Sequence, residues 1–166
     1  MKKLFLLSLL FLSFTQAKSE AIKCKITEII DGNTFICTNK ENKQTKVKFD
    51  DIYSPKLNQH FGQEAYEFLQ NSLNKDVRIL VRNIIKQNGE EYISGIILEP
   101  TQAEKIPPSD DCCFTNLSES MVHLGYSWCA PQIEDEDYTY CLHAQKKAKQ
   151  AKLGLWADTH LIPPWE

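Results

Sequence analysis

Ile29-Ile30-Asp31-Gly32-Asn33-Thr34-Phe35 sets an Asp-Gly pair between two apolar runs. With Ile26 before it and Ile36 after it, the stretch has the pattern of a tight β-hairpin. Two strands around this turn are therefore expected over 24–37. Asn39 to Thr45 is polar and aperiodic, which suits a second turn. Val47, Lys48 and Phe49 open a third strand, and Pro55 ends it.

Downstream, Phe61, Ala65, Phe68, Leu69 and Leu73 recur at helical spacing and predict a helix over 62–73 with one buried face. Val77, Ile79 and Val81 alternate with Arg78, Leu80 and Arg82, the period of a strand. Asn88-Gly89 marks a hairpin turn, and Tyr92 to Leu98 is the returning strand. Glu99 to Asp111, with Pro100, Pro107 and Pro108, reads as a surface loop. A second helix is expected over 116–124, with Gly125 placed to end it. A third is expected over 138–153 and is stopped by Gly154. Its lysines, Lys146, Lys147, Lys149 and Lys152, sit where the helix dipole favours cations and read as a solvated face. The acidic run Glu134 to Asp137 reads as a solvated loop or helix start. Leu155 and Trp156 are expected to fold back on the core. Five short strands with a helix after the third suit an α+β, mainly β fold: a five-stranded OB-type Greek-key barrel with about three helices.

At the other end of the chain, Lys2 and Lys3 precede an apolar run from Leu4 to Phe14. Thr15-Gln16-Ala17 then places small residues before a cut after Ala17, with Ala21 the weaker alternative. This is the layout of a secretory signal peptide over 1–17, too short for a membrane span. No later segment is apolar enough to span a membrane. The expected localisation is export, to the periplasm or beyond the cell. The remaining organisation is one domain over 22–157 and a Pro/Trp tail over 158–166, whose Pro163-Pro164-Trp165 is expected to pack on its own barrel. The mature chain is expected to be a monomer. Removing Lys2 and Lys3 from 19 basic residues set against 22 acidic ones leaves a charge of about −5. That is a poor background for tight non-specific DNA binding, though it leaves room for a local basic site.

All six cysteines follow the signal segment, and an even number in an exported chain suggests disulfides. Cys24 and Cys37 sit near the outer ends of the first hairpin and are placed to bridge adjacent strands. Cys129 and Cys141 flank the acidic run and are placed to tie the second helix to the third. Cys112 and Cys113 are left over: a strained vicinal pair, a bond to a partner elsewhere, or free thiols. No CxxC spacing supports metal binding. His60, His123, His143 and His160 are scattered without metal-ligand spacing.

Several strings together resemble the thermonuclease-like (staphylococcal nuclease) domain family, in the right order along nearly the whole mature chain. They are the first hairpin above, Val47-Lys48-Phe49-Asp50-Asp51-Ile52-Tyr53-Ser54-Pro55-Lys56, Gln59-His60-Phe61-Gly62-Gln63-Glu64-Ala65, Asn116 to Val122 with Gly125-Tyr126-Ser127-Trp128, and Ala148 to Trp156. The Pro163-Pro164-Trp165-Glu166 ending resembles exported bacterial members. The resemblance implies an OB barrel and, for active members, calcium-dependent cleavage of DNA and RNA. That chemistry needs carboxylates around a hard cation, cationic fork donors for the transition state, and a carboxylate to activate water.

Carried over by position, the first metal aspartate of the family falls on Asn33 and the second on Tyr53. The two arginines fall on Lys48 and Ser94, and the general-base glutamate falls on Lys56. Each chemical position is thus changed while the fold positions match. Lysine keeps the charge of arginine but not its planar two-point grip. The expectation is a catalytically weak or inactive member with no resident cofactor, acting as a binding module for an anion, a nucleic acid or a protein, with Lys48, Tyr53 and Lys56 as its binding residues. An equal alternative for the lysines is that they pair with Asp31, Asp50 or Asp51. One alternative function is an active secreted phosphodiesterase with a rebuilt calcium site, for which Asp31, Asp50 and Asp51 are the candidate ligands. Another is a cell-envelope interaction component using the Pro107-Pro108 loop or the tail.

Overall fold

The computed structural model describes residues 21–87, 89–100, 114–131, 139–158, 161, 163 and 165. The proposed signal segment, Cys112, Cys113, the Pro107-Pro108 loop and the acidic run lie outside the described residues.

The Asp-Gly hairpin forms as the sequence predicts, from β1 (Ala21–Asp31) and β2 (Thr34–Thr38), with Asp31 paired to Thr34 across the turn. The Asn33 backbone N–H donates to Asp31 Oδ1 at 2.7 Å, so the aspartate side chain closes the turn. β3 (Gln44–Phe49) pairs with β2, and β5 (Asp76–Gln87) and β6 (Glu90–Pro100) form a long second hairpin. β1 also pairs with β5, and β3 pairs in parallel with β6. These five strands therefore close on themselves in the order β1, β2, β3, β6, β5 and back to β1. Closure satisfies the edge hydrogen bonds of all five, which is the logic of the OB barrel. Phe35, Ile26, Val47, Ile79 and Ile97 point inward and are fully buried, in keeping with the period-two pattern of their strands.

Three short strands extend this scheme. β7 (Phe114–Asn116) lies on the outer edge of β6. β4 (Ile52–Tyr53) pairs with β8 (Trp128–Cys129) outside the barrel sheet. With two or three residues each, they carry no periodic signal. The proposed loop over 99–111 needs correction at its start, because Glu99 and Pro100 belong to β6 and pair with Thr115 and Phe114. β5 also runs five residues past Arg82, through a register shift between Val81 and Asn83.

Helix α1 (Gly62–Gln70) buries Ala65 and Leu69 against the barrel and stops short of Leu73, where residues 71–74 turn back toward β1. Asn74 there takes a positive φ of 65° and donates its N–H to the Ile26 carbonyl at 2.8 Å. Helix α2 (Leu117–His123) is capped by Asn116, whose side chain accepts from the Ser118 N–H, so that residue precedes the helix rather than opening it. Helix α3 (Thr139–Ala151) packs on α2. A 3-10 turn at Gly154–Ala157 follows and buries Leu155. In the tail, the Trp165 ring packs against Tyr53 and Trp128.

Two disulfides join the pairs the cysteine positions suggested, though the second anchors α3 to a strand after α2 rather than to α2 itself. Cys24–Cys37 links β1 to β2, and Cys129–Cys141 links β8 to α3.

Candidate functional site

The mouth of the first hairpin, the end of β3, the corner after β4 and the β5–β6 hairpin enclose a cleft of about 400 Å³. It is lined by Asn33, Lys48, Tyr53, Lys56 and Ser94, the five positions to which the family resemblance points. Chain closure brings them together. Thr34, next to Asn33, faces Lys48 across β2 and β3, and Lys48 faces Ser94 across β3 and β6. Tyr53 is held by its pairing with Trp128. Lys56 sits at the start of a tight loop. Its N–H donates to Gln59 Oε1 at 2.7 Å, and its carbonyl accepts from the Gln59 N–H at 2.8 Å.

Two glycines set the cleft's frame. A Cβ on Gly32 would stand 2.7 Å from the Ala65 Cβ and 2.9 Å from the Ser54 Cβ, so the hairpin turn touches α1 only because it has no side chain there. A Cβ on Gly62 would come within 1.9 Å of the Lys56 carbonyl oxygen, so the same absence lets α1 abut the Lys56 backbone. Buried Ser54 completes the frame by donating to the Gly32 carbonyl at 2.6 Å while bonding the Ser127 hydroxyl, also at 2.6 Å. The two hydrogen bonds tie the β4 corner to the hairpin on one side and to the exit of α2 on the other. Sequence reasoning did not single out Ser54 or Ser127. Neither carries a periodic or compositional signal, because both are small polar residues that become buried only when the chain folds.

The charges in the cleft are mixed. Lys48 Nζ lies 4.3 Å from the centre of the Tyr92 ring, a cation–π contact, and Lys46 on the same strand pairs with Glu90 at 2.6 Å. Among the described residues, neither Lys48 nor Lys56 forms an ion pair with Asp31, Asp50 or Asp51. Asp31 and Asp50 line the cleft. Burial and the neighbouring Asp51 raise the Asp50 carboxyl above its ordinary value of 3.8, and Arg82 and the Ser94 hydroxyl oppose that rise. Asp50 Oδ1 and Asn33 Oδ1 are both buried without a hydrogen-bond partner.

Asp51, a candidate metal ligand by sequence, does not line the cleft. It is fully buried and accepts hydrogen bonds from Ser118 Oγ at 2.9 Å and from the Tyr140 hydroxyl. Its carbonyl accepts from the Ala130 N–H at 3.0 Å. The reason is local: Asp50 follows Lys48 at strand period on the cleft side, and Asp51 turns inward toward α2 and α3. Burial and the Asp51 charge push the Tyr140 phenol well above its ordinary range. His60, read as an ordinary residue, lies 3.2 Å from Asp158 and against the Phe61 ring.

The sequence profile of the staphylococcal nuclease homologue family matches residues 38–158. An uncharacterized endonuclease of Haemophilus influenzae is 30% identical to this chain, over 98% of it and 83% of the relative. A micrococcal nuclease of Shigella flexneri is 25% identical over 86% of this chain and 78% of its own length. Protein ParB of Escherichia coli is 23% identical over 87% and 78% respectively. The closed barrel and its cleft are those of a nuclease-type OB domain. The chain belongs to the staphylococcal nuclease homologue family.

Proposed function

We propose that the cleft is a binding site for phosphate-bearing ligands, above all nucleic-acid strands, and that hydrolysis at it is weak or absent. The observation that carries this reading is the set of side chains on the cleft wall. Among the described residues Lys48 and Lys56 present cations without an aspartate ion pair, Tyr53 and Tyr92 present rings, and Asn33 and Ser94 present neutral polar groups. Cations beside aromatic rings suit a phosphate and the base next to it.

The calcium that the family implies does not fit this donor set. The two family metal positions hold an amide and a phenol, and Lys56 brings a positive charge where a carboxylate is required. Among the described residues, no three His, Cys, Asp or Glu side chains are grouped to hold a metal ion. The orphaned oxygens of Asn33 and Asp50 are acceptors, yet they share the cleft with two lysines.

A second reading, an active phosphodiesterase with a rebuilt site, is favoured by relatives that carry the names endonuclease and micrococcal nuclease. In that reading Asp31 and Asp50 are the remaining cleft carboxylates. Export follows the proposed signal segment, and the two disulfides suit an oxidising compartment.

Titration of a fluorescent oligothymidylate in EDTA tests the binding reading. The native chain is expected to bind, and Lys48→Ala with Lys56→Ala to weaken binding at least tenfold. Equal affinity of the double variant would overturn it.

A further inference from the structure

We propose that a second, basic face of the barrel, remote from the cleft, tracks the phosphodiester backbone of single-stranded nucleic acid. This face is a hollow of about 660 Å³ on the outer side of β1, β2 and β5. Among the described residues its lining includes Lys23, Lys25, Lys40 and Arg78, with Asp76 the one acid, and it shares no lining residue with the cleft. In a chain of net charge −3, this grouping of cations among the described residues is a basic patch.

Lys23 and Arg78 are direct cross-strand partners in the β1–β5 ladder, and like charges placed opposite one another destabilise a sheet. In the same ladder Lys25 faces Asp76. Arg78 rests its guanidinium on the Phe114 ring at 4.2 Å. Among the described residues, Lys23, Lys25 and Lys40 form no ion pair. Lys25 lies two residues along the strand from Lys23, which spaces two cations by about 6.7 Å on one face. Lys40 adds a third from the β2–β3 turn.

The scaffold under these cations is rigid. The Cys24–Cys37 disulfide crosses beneath them, and the Thr27 and Thr38 hydroxyls are joined at 2.8 Å. The Asn39 carboxamide oxygen accepts from the Glu41 and Lys43 N–H groups and so fixes the Lys40 turn. A fixed row of cations complements a repeating anion. The phosphodiester chain is the repeating anion that the nucleic-acid reading of the cleft already requires, and the proposal rests on that reading.

The test compares the native mature chain with a Lys23→Gln, Lys25→Gln, Lys40→Gln variant. The probes are deoxythymidine 5′-phosphate, which reports the cleft, and an oligothymidylate of about 24 nucleotides, longer than the roughly 4–16 nucleotides of a single OB-fold site. Loss of three phosphate contacts is expected to make the slope of log affinity against log salt shallower by about 2 for the oligomer. Oligomer affinity at low salt should fall at least tenfold, and mononucleotide affinity should stay unchanged. The variant replaces exposed side chains only, and its circular dichroism confirms folding. An unchanged oligomer slope overturns the proposal, as does an equal loss for the mononucleotide. Tighter binding of the native chain to anionic lipid vesicles than to the oligomer also overturns it. Absence of mononucleotide binding by the native chain counts against the cleft reading alone, since the oligomer slope still tests this face.

Discussion

Replacing Asp51 by alanine should unfold this domain far more readily, for reasons unrelated to any metal. The carboxylate is completely buried and receives hydrogen bonds from Ser118 Oγ and the Tyr140 hydroxyl. Ser118 lies in α2 and Tyr140 in α3, so a single side chain at the end of the barrel sheet fastens both helices to it. Hydrogen bonds to a charged group contribute about 1.5–3 kcal/mol each, and buried donors left behind without an acceptor are penalised further. Relief of the buried charge offsets part of that loss. The net expectation is a loss of about 3–5 kcal/mol. For a domain of this size that lowers the melting temperature by roughly 10–15 °C. Asp51→Asn keeps one acceptor oxygen and should lose roughly half as much. Thermal and urea unfolding of the oxidised mature chain, followed by circular dichroism, measures both. A loss below about 1 kcal/mol for Asp51→Ala, accompanied by loss of a calcium-dependent activity, would refute the reasoning and return Asp51 to the role of a metal ligand.

Asp50 should behave in the opposite sense. Its folded-state pKa lies above the ordinary 3.8, so the folded chain binds the proton more tightly than the unfolded chain. Its contribution to stability therefore falls as pH rises from the ordinary value through the raised one. Asp50→Asn should be at least as stable as the native chain at pH 7, with its advantage vanishing below the ordinary pKa; pH-dependent urea titrations check this. Removing either disulfide by paired Cys→Ser substitution should destabilise the domain by about 3 kcal/mol, since each closes a short loop of 13 or 12 residues; melting under non-reducing conditions reads the change. Gly62→Ala should be strongly destabilising, because its Cβ would overlap the Lys56 carbonyl. Comparison with Gly89→Ala, where no atom stands within 4 Å but φ is +79°, separates overlap from backbone strain in the same melts.

The barrel was legible because its signals are local. Asp31-Gly32 makes the turn, the alternation of Val77, Ile79 and Val81 makes a strand, and Ala65 with Leu69 marks the buried face of a helix. The convergence of Asn33, Lys48, Tyr53, Lys56 and Ser94 on one cleft was legible only through the family resemblance, since strand closure is a long-range event. The tertiary clips were not legible. β4 and β8 hold two residues each, too few for a period, and β7 holds three. Asp50 and Asp51 look equivalent as adjacent acids. One faces the cleft and the other the helices because side chains past the end of β3 still alternate. Ser54 and Ser127 are ordinary surface residues by composition and become a buried link only once the β4 corner meets the exit of α2.

The proposed separation of binding from cleavage is tested most directly by incubating purified mature chain with labelled single-stranded DNA, in calcium and in EDTA, and reading bound and cut strand in the same samples. The strand is expected to bind equally well in both and to remain essentially intact. Rapid digestion in calcium, abolished by EDTA and by Asp50→Ala but not by Lys56→Ala, would contradict it.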